Sequence, residues 1–224
     1  MIKIVRIVTF LVAFFAIIIS VTYVNPKKEI NYAYSAYKIG DFDQAMRNAR
    51  RAFLFTHDKK IKISALLLES DICISQNRYD KALGYLNKSL KVCSRCTQCL
   101  LKRGFVYFVL GKYNLSVKDI ESGLKSIKTI PKNRLSYYLS IKGLSYCKIH
   151  LYKKAKNCMN KAFELDTENP VAYILAGCLL KDNNRYEAYK NTKKAFSLGI
   201  KKFSYFNSPI GKVWLKEIEK IQSR

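Results

Sequence analysis

The sequence predicts an all-α protein: a right-handed α-solenoid of about five helix-turn-helix repeats, with an N-terminal transmembrane helix and a C-terminal capping helix. Three observations support this prediction. One uncharged apolar stretch lies near the N-terminus, a short phrase recurs five times after it, and only 9 Gly and 4 Pro occur in 224 residues. So few breakers favour long helices over turn-rich classes.

The composition combines a large positive charge with enough apolar residues to form a core. Lys and Arg number 41 against 16 Asp and Glu, which gives a formal charge of +25, and 49% of the residues are hydrophobic. A disordered chain of this charge would lack the apolar residues needed for a core. The sequence therefore predicts a folded, strongly basic protein.

The first predicted element, residues 1–25, is a transmembrane signal anchor. Residues 7–24 contain no charged side chain. As a helix they would span about 27 Å, near the roughly 30 Å hydrocarbon core of a bilayer. A cleaved signal peptide and a buried soluble helix remain alternatives, and Ser20 and Thr22 are the only small residues near the end of the stretch.

Charges on either side of this stretch give a mild orientation preference. Lys3 and Arg6 precede it, and Lys27 and Lys28 follow it. The positive-inside rule favours a cytoplasmic N-terminus, because the terminal amine adds to the first pair. We therefore expect a single-pass membrane protein with the repeat body outside the cytoplasm.

The second predicted element is a repeat array over residues 26–200. A short motif occurs five times. It consists of a turn-forming residue, an aromatic residue two positions later and a small residue after that. The aromatic positions are 42, 79, 113, 152 and 186, so they lie 37, 34, 39 and 34 residues apart. The phrases begin at Gly40, Asn77, Gly111, His150 and Asn184. Gly and Asn tolerate the positive φ that ends one helix before the next.

This pattern resembles the tetratricopeptide repeat family, whose unit is a helix-turn-helix of about 34 residues. Gly104, Gly143 and Gly177 match the small residue midway along the first helix of a repeat. The departures are His150 at a turn position and longer junctions at 57–60 and 128–133. The resemblance implies paired helices and a groove lined by first helices.

The third predicted element, residues 201–224, is a capping helix. Ser208 and Pro209 are typical of a helix start, and Val213, Trp214, Ile218 and Ile221 follow at helical spacing. The last repeat of a solenoid needs such a cap, because its stacking face would otherwise be exposed. We therefore expect Trp214 to be a packing residue.

The resemblance also predicts a partner-binding groove, which the aligned positions make apolar. The predicted groove residues are Ile30, Tyr34, Tyr37, Leu67, Leu68, Asp71, Leu101, Phe105, Phe108, Tyr137, Ile141, Leu144, Ile174 and Leu175. Such a surface fits an apolar or amphipathic segment of another protein. Two alternatives remain: some residues belong to the repeat core, or the chain's own N-terminal segment covers them. Ile30, Tyr34 and Leu68 stand where related proteins hold a chaperone's C-terminal carboxylate with polar residues, so that mode is disfavoured.

The excess lysines fall mainly on the predicted second helices and turns. They include Lys118, Lys125, Lys128, Lys153, Lys154, Lys156, Lys190, Lys193, Lys194, Lys201 and Lys202. A solvated convex face explains them, and contact with anionic lipid or an acidic partner is an alternative. Nucleic acid is disfavoured as a partner, because lysine outnumbers arginine and no RNA-stacking motif is present.

The cysteine cluster Cys93, Cys96 and Cys99 is a weak candidate for a metal site, since a zinc site normally has four ligands. Unbridged thiols and a disulfide are the other interpretations. Neither His57 nor His150 has an adjacent acid or nucleophile, so the sequence predicts no enzymatic activity and no cofactor.

Together these features predict a membrane-anchored protein-interaction scaffold, or an assembly component of an envelope or membrane complex. An exported soluble adaptor, left after signal cleavage, is the first alternative. A basic nucleic-acid-binding or ribosome-associated module is the second.

Overall fold

Helices account for all the regular structure in the part of the chain that a computed structural model describes, residues 24–125, 130–201 and 209–223. The helices there are α1 Pro26–Lys38, α2 Phe42–Leu54, α3 Lys59–Ser75, α4 Tyr79–Val92, α5 Thr97–Val109, α6 Tyr113–Leu124, α7 Lys132–Lys148, α8 Tyr152–Leu165, α9 Pro170–Leu180, α10 Arg185–Lys201 and α11 Pro209–Gln222. The described residues divide into two compact units, of which unit 1 ends at residue 65 and unit 2 begins at residue 66.

Residues 1–23 of the predicted signal anchor lie outside the described residues, which begin at residue 24. Asn25 starts the described helices by accepting hydrogen bonds from the Lys27 and Lys28 amides, and Pro26 occupies the first helical position. None of the helices in the described part is both long enough and apolar enough to span a bilayer.

The predicted turns are present, and four of them use the left-handed backbone region. Gly40, Asn77, Gly111 and His150 have φ of 84°, 57°, 73° and 60°. The prediction is therefore confirmed at the first three. His150 adopts the same conformation although histidine is less typical there, whereas Asn184 is not among the positive-φ residues that the structure describes.

Unit 1 contains α1 and α2 packed against each other. Small residues line their contact, since Ala33, Ala45, Ala49 and Ala52 are buried. The aromatic of the first repeated phrase, Phe42, closes the turn against Tyr37, with ring centroids 5.7 Å apart. The first predicted repeat is thus a close helix pair.

Unit 2 stacks helix pairs as the repeats predict. Helix α5 packs on α6, α7 on α8 and α9 on α10, and α7 contacts the pairs on both sides. The small residues set the helix spacing. A methyl group added to Gly104 would lie 2.6 Å from Ile120 Cγ1 and 3.2 Å from the Ser116 carbonyl oxygen. Only glycine fits this contact of α5 with α6.

We expect Gly104→Ala to destabilise unit 2 by about 1 to 3 kcal/mol, because the new methyl group must push the α6 backbone away. Gly84→Ala in α4 is the matched control, since Gly84 is exposed and nothing lies within 4 Å of its added methyl group. That variant should gain about 0.5 to 1 kcal/mol from helix propensity. Urea unfolding measures both, and equal effects of the two variants would contradict the close packing.

A partly buried ion pair also ties α5 to α6. Arg103 donates to both carboxylate oxygens of Asp119, at 2.6 and 2.9 Å, and a third donor bonds Asn87 Oδ1 at 2.8 Å. Asp119 is buried, and its hydrogen bond raises the pKa of Arg103. The pair therefore helps to fix α5, which carries Phe105 and Phe108, against α6.

Candidate protein-binding groove

Helix α11 lies against the first helices of three successive repeats in unit 2. Its residues Trp214, Ile218 and Ile221 are buried and lie four and three positions apart, so they form one apolar face. The face meets α5 and α7 through Trp214, and α11 also contacts α9 and α10. The predicted cap therefore covers more than the stacking face of the last repeat.

Trp214 sits in a cluster of three aromatic rings. Its ring centroid lies 6.1 Å from Phe105, 5.6 Å from Phe108 and 6.0 Å from Tyr137, within the range in which aromatic pairs attract. The side chain has no exposed surface. We call the surface formed by Phe105, Phe108, Tyr137 and Lys148 the aromatic groove.

The fit of Trp214 is apolar but not complete. Its indole N–H is buried and has no hydrogen-bond partner among the described residues. An unpaired buried donor costs about 1 to 3 kcal/mol. The aromatic groove thus accepts a ring at this point without offering an acceptor for its polar edge.

One buried carboxylate connects α11 to the rim of the groove. Glu217 Oε2 lies 2.7 Å from Lys148 Nζ on α7, and Glu217 Oε1 lies 2.6 Å from Lys220 Nζ. Burial by itself would raise the pKa of Glu217, but the hydrogen bonds and charges of both lysines outweigh burial and lower it. Burial would lower the pKa of Lys148, yet its bond to Glu217 raises it.

These two shifts predict the pH range in which α11 stays docked. The Glu217 carboxylate stabilises the folded state at pH values above its ordinary pKa of 4.5. This stabilisation is lost as the pH falls through the lowered pKa of the folded state. The Lys148 ammonium group stabilises the folded state at pH values below its ordinary pKa of 10.5. This stabilisation is lost as the pH rises through the raised pKa of the folded state. Trp214 is the only tryptophan, so its emission should shift to longer wavelength on both sides of this range.

Glu217→Gln is the control for this prediction. It should remove the acid shift of the Trp214 emission, because no carboxylate remains to be protonated at the groove rim. An unchanged acid shift in that variant would assign the transition to another part of the chain.

The end of α11 reaches the last helix pair. Gln222 Nε2 donates to Thr192 Oγ1 on α10 at 3.0 Å. Ile221 Cδ1 would lie 3.7 Å from a methyl group added to Gly177 on α9. The helix α11 therefore extends past the aromatic groove to α9 and α10.

A cavity of about 550 Å³ remains open beside α11. Its walls include Tyr79, Tyr113 and Phe108 from the repeats, and Lys212, Lys216 and Lys220 from α11. These three lysines are exposed and follow each other at four-residue spacing. The cavity thus has an aromatic wall and a positive wall.

The structure divides the predicted groove residues of unit 2 into two groups. Phe105, Phe108 and Tyr137 meet Trp214 and so line the groove. Leu101 and Leu175 pack inside the repeats, because Leu101 lies on Gly123 of α6 and Leu175 lies on Gly143 of α7. We therefore leave these two out of the groove.

The other predicted residues of unit 2 are also largely buried. Leu67, Leu68, Ile141, Leu144 and Ile174 are buried, whereas Asp71 is half-buried and pairs with Lys102 of α5. In unit 1, Ile30 is buried, Tyr37 is half-buried and Tyr34 is 39% exposed. Their role in binding a partner stays a prediction.

The sequence analysis missed the polar contacts of the groove. Lys148 ends a first helix, and Thr192 lies on a second helix, so neither occupies a position that lines grooves in the repeat pattern. The one sequence signal for Glu217 was its position as an acidic residue beside Trp214 and Ile218 on the apolar face of α11. An acid so placed signals a buried ion pair, but not its partner.

The cysteine cluster contains one disulfide. Cys96 and Cys99 are bonded at the start of α5, and Cys93 is free. Cys96 also caps this helix by accepting from the Cys99 amide at 3.3 Å. No group of three metal-ligating side chains occurs within the described ranges, so the weak metal candidates Cys93, Cys96 and Cys99 do not meet in a site there.

We expect thiol titration to count this bond. The sequence has 7 Cys, and the disulfide uses two, so the unreduced, denatured protein should show 5 free thiols. Reduction before denaturation should raise the count to 7. A Cys96→Ser control should show six thiols with or without reductant, and seven thiols in the unreduced wild type would contradict the disulfide.

The lysines assigned to a solvated face are exposed wherever the structure describes their side chains. Lys118, Lys125, Lys153, Lys154, Lys156, Lys190, Lys193 and Lys194 are exposed. Lys128, Lys201 and Lys202 lie outside the described side chains. Most of the positive charge named in the sequence analysis is therefore solvated.

Comparison with solved structures identifies the fold. No protein-family model and no curated protein matches the sequence. MamA 41-end from Desulfovibrio magneticus RS-1 superposes with a TM-score of 0.63 at 18% identity, over 79% of this chain and 96% of that one. This match and the two that follow, one of them titled a tetratricopeptide repeat protein, define the class: the chain has the fold of tetratricopeptide-repeat proteins, as predicted.

Two further structures show the same fold. A tetratricopeptide repeat protein from Parabacteroides merdae matches with a TM-score of 0.61 at 18% identity, over 88% of this chain and 79% of that chain. The APC/C hetero-tetramer Cut9-Hcn1 matches with 0.68 at 16% identity, over 88% of this chain and 36% of that chain.

Proposed function

We propose that this protein is a non-catalytic scaffold whose aromatic groove binds an amphipathic helix of a partner protein. One observation carries the proposal: the groove already holds a helix in this way. Trp214 enters the ring cluster and Glu217 pairs with Lys148 at the rim. Helix-in-groove binding uses such anchors at helical spacing, and tetratricopeptide-repeat neighbours share the fold.

Site-specific photo-crosslinking in intact cells tests this proposal. A photoreactive residue at Val109, in the wall of the open cavity, should trap a partner protein, and mass spectrometry should map the trapped peptide to an amphipathic helix. The control is a photoreactive residue at Lys153, which is exposed on the second helix α8. Trapping the same peptide from both positions would contradict binding in the groove.

We further propose that residues 7–24 attach the scaffold to a membrane. The support is the uncharged apolar stretch in the sequence, with Lys3 and Arg6 before it. Alkaline extraction of membranes, followed by mass determination of the mature N-terminus, tests the attachment. A soluble protein that begins after Thr22 would establish the exported adaptor instead.

The nucleic-acid hypothesis has a separate test. If the exposed lysines bound phosphates, the affinity for RNA or DNA would fall steeply with salt concentration. We expect only weak binding at physiological salt, because these lysines are spread over the second helices.

A further inference from the structure

We infer that α11 is an intramolecular competitor for the partner helix, and that the partner repeats the anchor pattern of α11. This inference rests on the proposed function. The pattern is an aromatic residue, an acid three positions later, and aliphatic residues four and seven positions later. In α11 these are Trp214, Glu217, Ile218 and Ile221.

Competition follows from occupancy. Trp214 fills the space between Phe105, Phe108 and Tyr137, and it has no exposed surface. A partner's aromatic anchor needs the same space. The two helices therefore cannot occupy the groove together, and a partner binds only when α11 leaves.

The contacts of α11 leave room for a competitor to win. The Trp214 indole N–H has no partner among the described residues, so a partner with Phe at this position avoids that desolvation cost. On the repeat side of the open cavity, Tyr79, Val109 and Tyr113 also form a wall that α11 does not fill. A helix that fills it gains contacts beyond those of α11.

The polar contacts specify which helices fit. Lys148 lies at the rim with its charge half-buried, so a helix without an acid at the matching position leaves it unpaired. Losing one member of a desolvated ion pair is costly. The acid three positions after the aromatic is therefore the specificity determinant.

The test uses the full-length chain and a fluorescein-labelled peptide of residues 209–222. The chain with Trp214→Ala should bind the peptide at least tenfold more tightly than the wild-type chain does, because its own helix is weakened. Adding Lys148→Glu should reduce this binding at least tenfold. A peptide with Glu217→Lys should restore binding to that chain, and a scrambled peptide should bind none of the chains.

Each outcome decides between the claims. Equal binding to the wild-type and Trp214→Ala chains, with the Lys148 charge preference kept, overturns the competition and leaves the groove proposal standing. No binding to any chain, with circular dichroism unchanged, overturns both.

Two further measurements complete the test. If Trp214→Ala unfolds unit 2, the Glu217→Gln chain replaces it, with the same expected order of affinities. Light scattering tests whether α11 is exchanged between two copies of the chain. In that case the wild-type protein would have twice the monomer mass, and this result would overturn intramolecular competition.

Discussion

Replacing Trp214 with alanine should cost about 3 to 5 kcal/mol, the usual loss for truncating a large buried aromatic side chain. Trp214 is the largest fully buried side chain in the described structure, and its contacts join α11 to α5 and α7. The loss should fall on α11 first. Hydrogen exchange should show faster exchange of the α11 amides, with those of α8 little changed.

Trp214→Phe is the matched control. It keeps an aromatic ring near Phe105, Phe108 and Tyr137 and removes the unpartnered N–H. Its smaller volume and its relieved donor act in opposite directions, so we expect a change of about 1 kcal/mol or less. If Trp214→Ala also changed the free energy of unfolding by less than that, α11 would not be docked through this side chain.

Replacing Arg103 with alanine should also destabilise unit 2 by about 3 to 5 kcal/mol, since it leaves the Asp119 carboxylate buried and unpaired. Asp119 exposes 7% of its side chain with Arg103 in place, and the variant removes both hydrogen bonds that this carboxylate accepts from Arg103. Urea unfolding measures the effect. The double variant Arg103→Met with Asp119→Leu should recover most of the loss, because neither charge then remains.

The exposed pair Lys190 and Glu187 provides the comparison. Their side chains expose 67% and 39% of their surface, so Lys190→Ala should cost well below about 1 kcal/mol. If Arg103→Ala and Lys190→Ala had equal effects, burial would not be the cause of the predicted loss.

The turns show how far local sequence determines this fold. Gly40, Asn77 and Gly111 could be predicted, because positive φ favours Gly and Asn. His150 takes the same conformation, with its Nδ1 2.9 Å from the Tyr152 hydroxyl, although histidine favours positive φ less than Gly or Asn does. Asn184 is also an asparagine before a second helix, but unlike Asn77 it is not among the described residues with positive φ. Residue type alone therefore does not specify this turn.

The groove shows where the sequence prediction ended. Periodicity identified the apolar positions of α5, but Leu101 and Phe105, four positions apart, take different environments: Leu101 lies on Gly123 and Phe105 on Trp214. Helical spacing cannot separate two adjacent buried faces. The apolar face of α11 predicted that Trp214 would be buried, but the surface that buries it depends on tertiary packing.

The order of helices along the chain has a consequence for synthesis. Tyr137 and Trp214 are 77 residues apart (214 minus 137), and α11 follows all the helices it contacts. At about 5 to 20 residues per second, translation takes on the order of 4 to 15 seconds to pass from one to the other. The groove helices of a nascent chain precede α11 during that interval, so the competition inferred above would begin only once α11 has been made and docked.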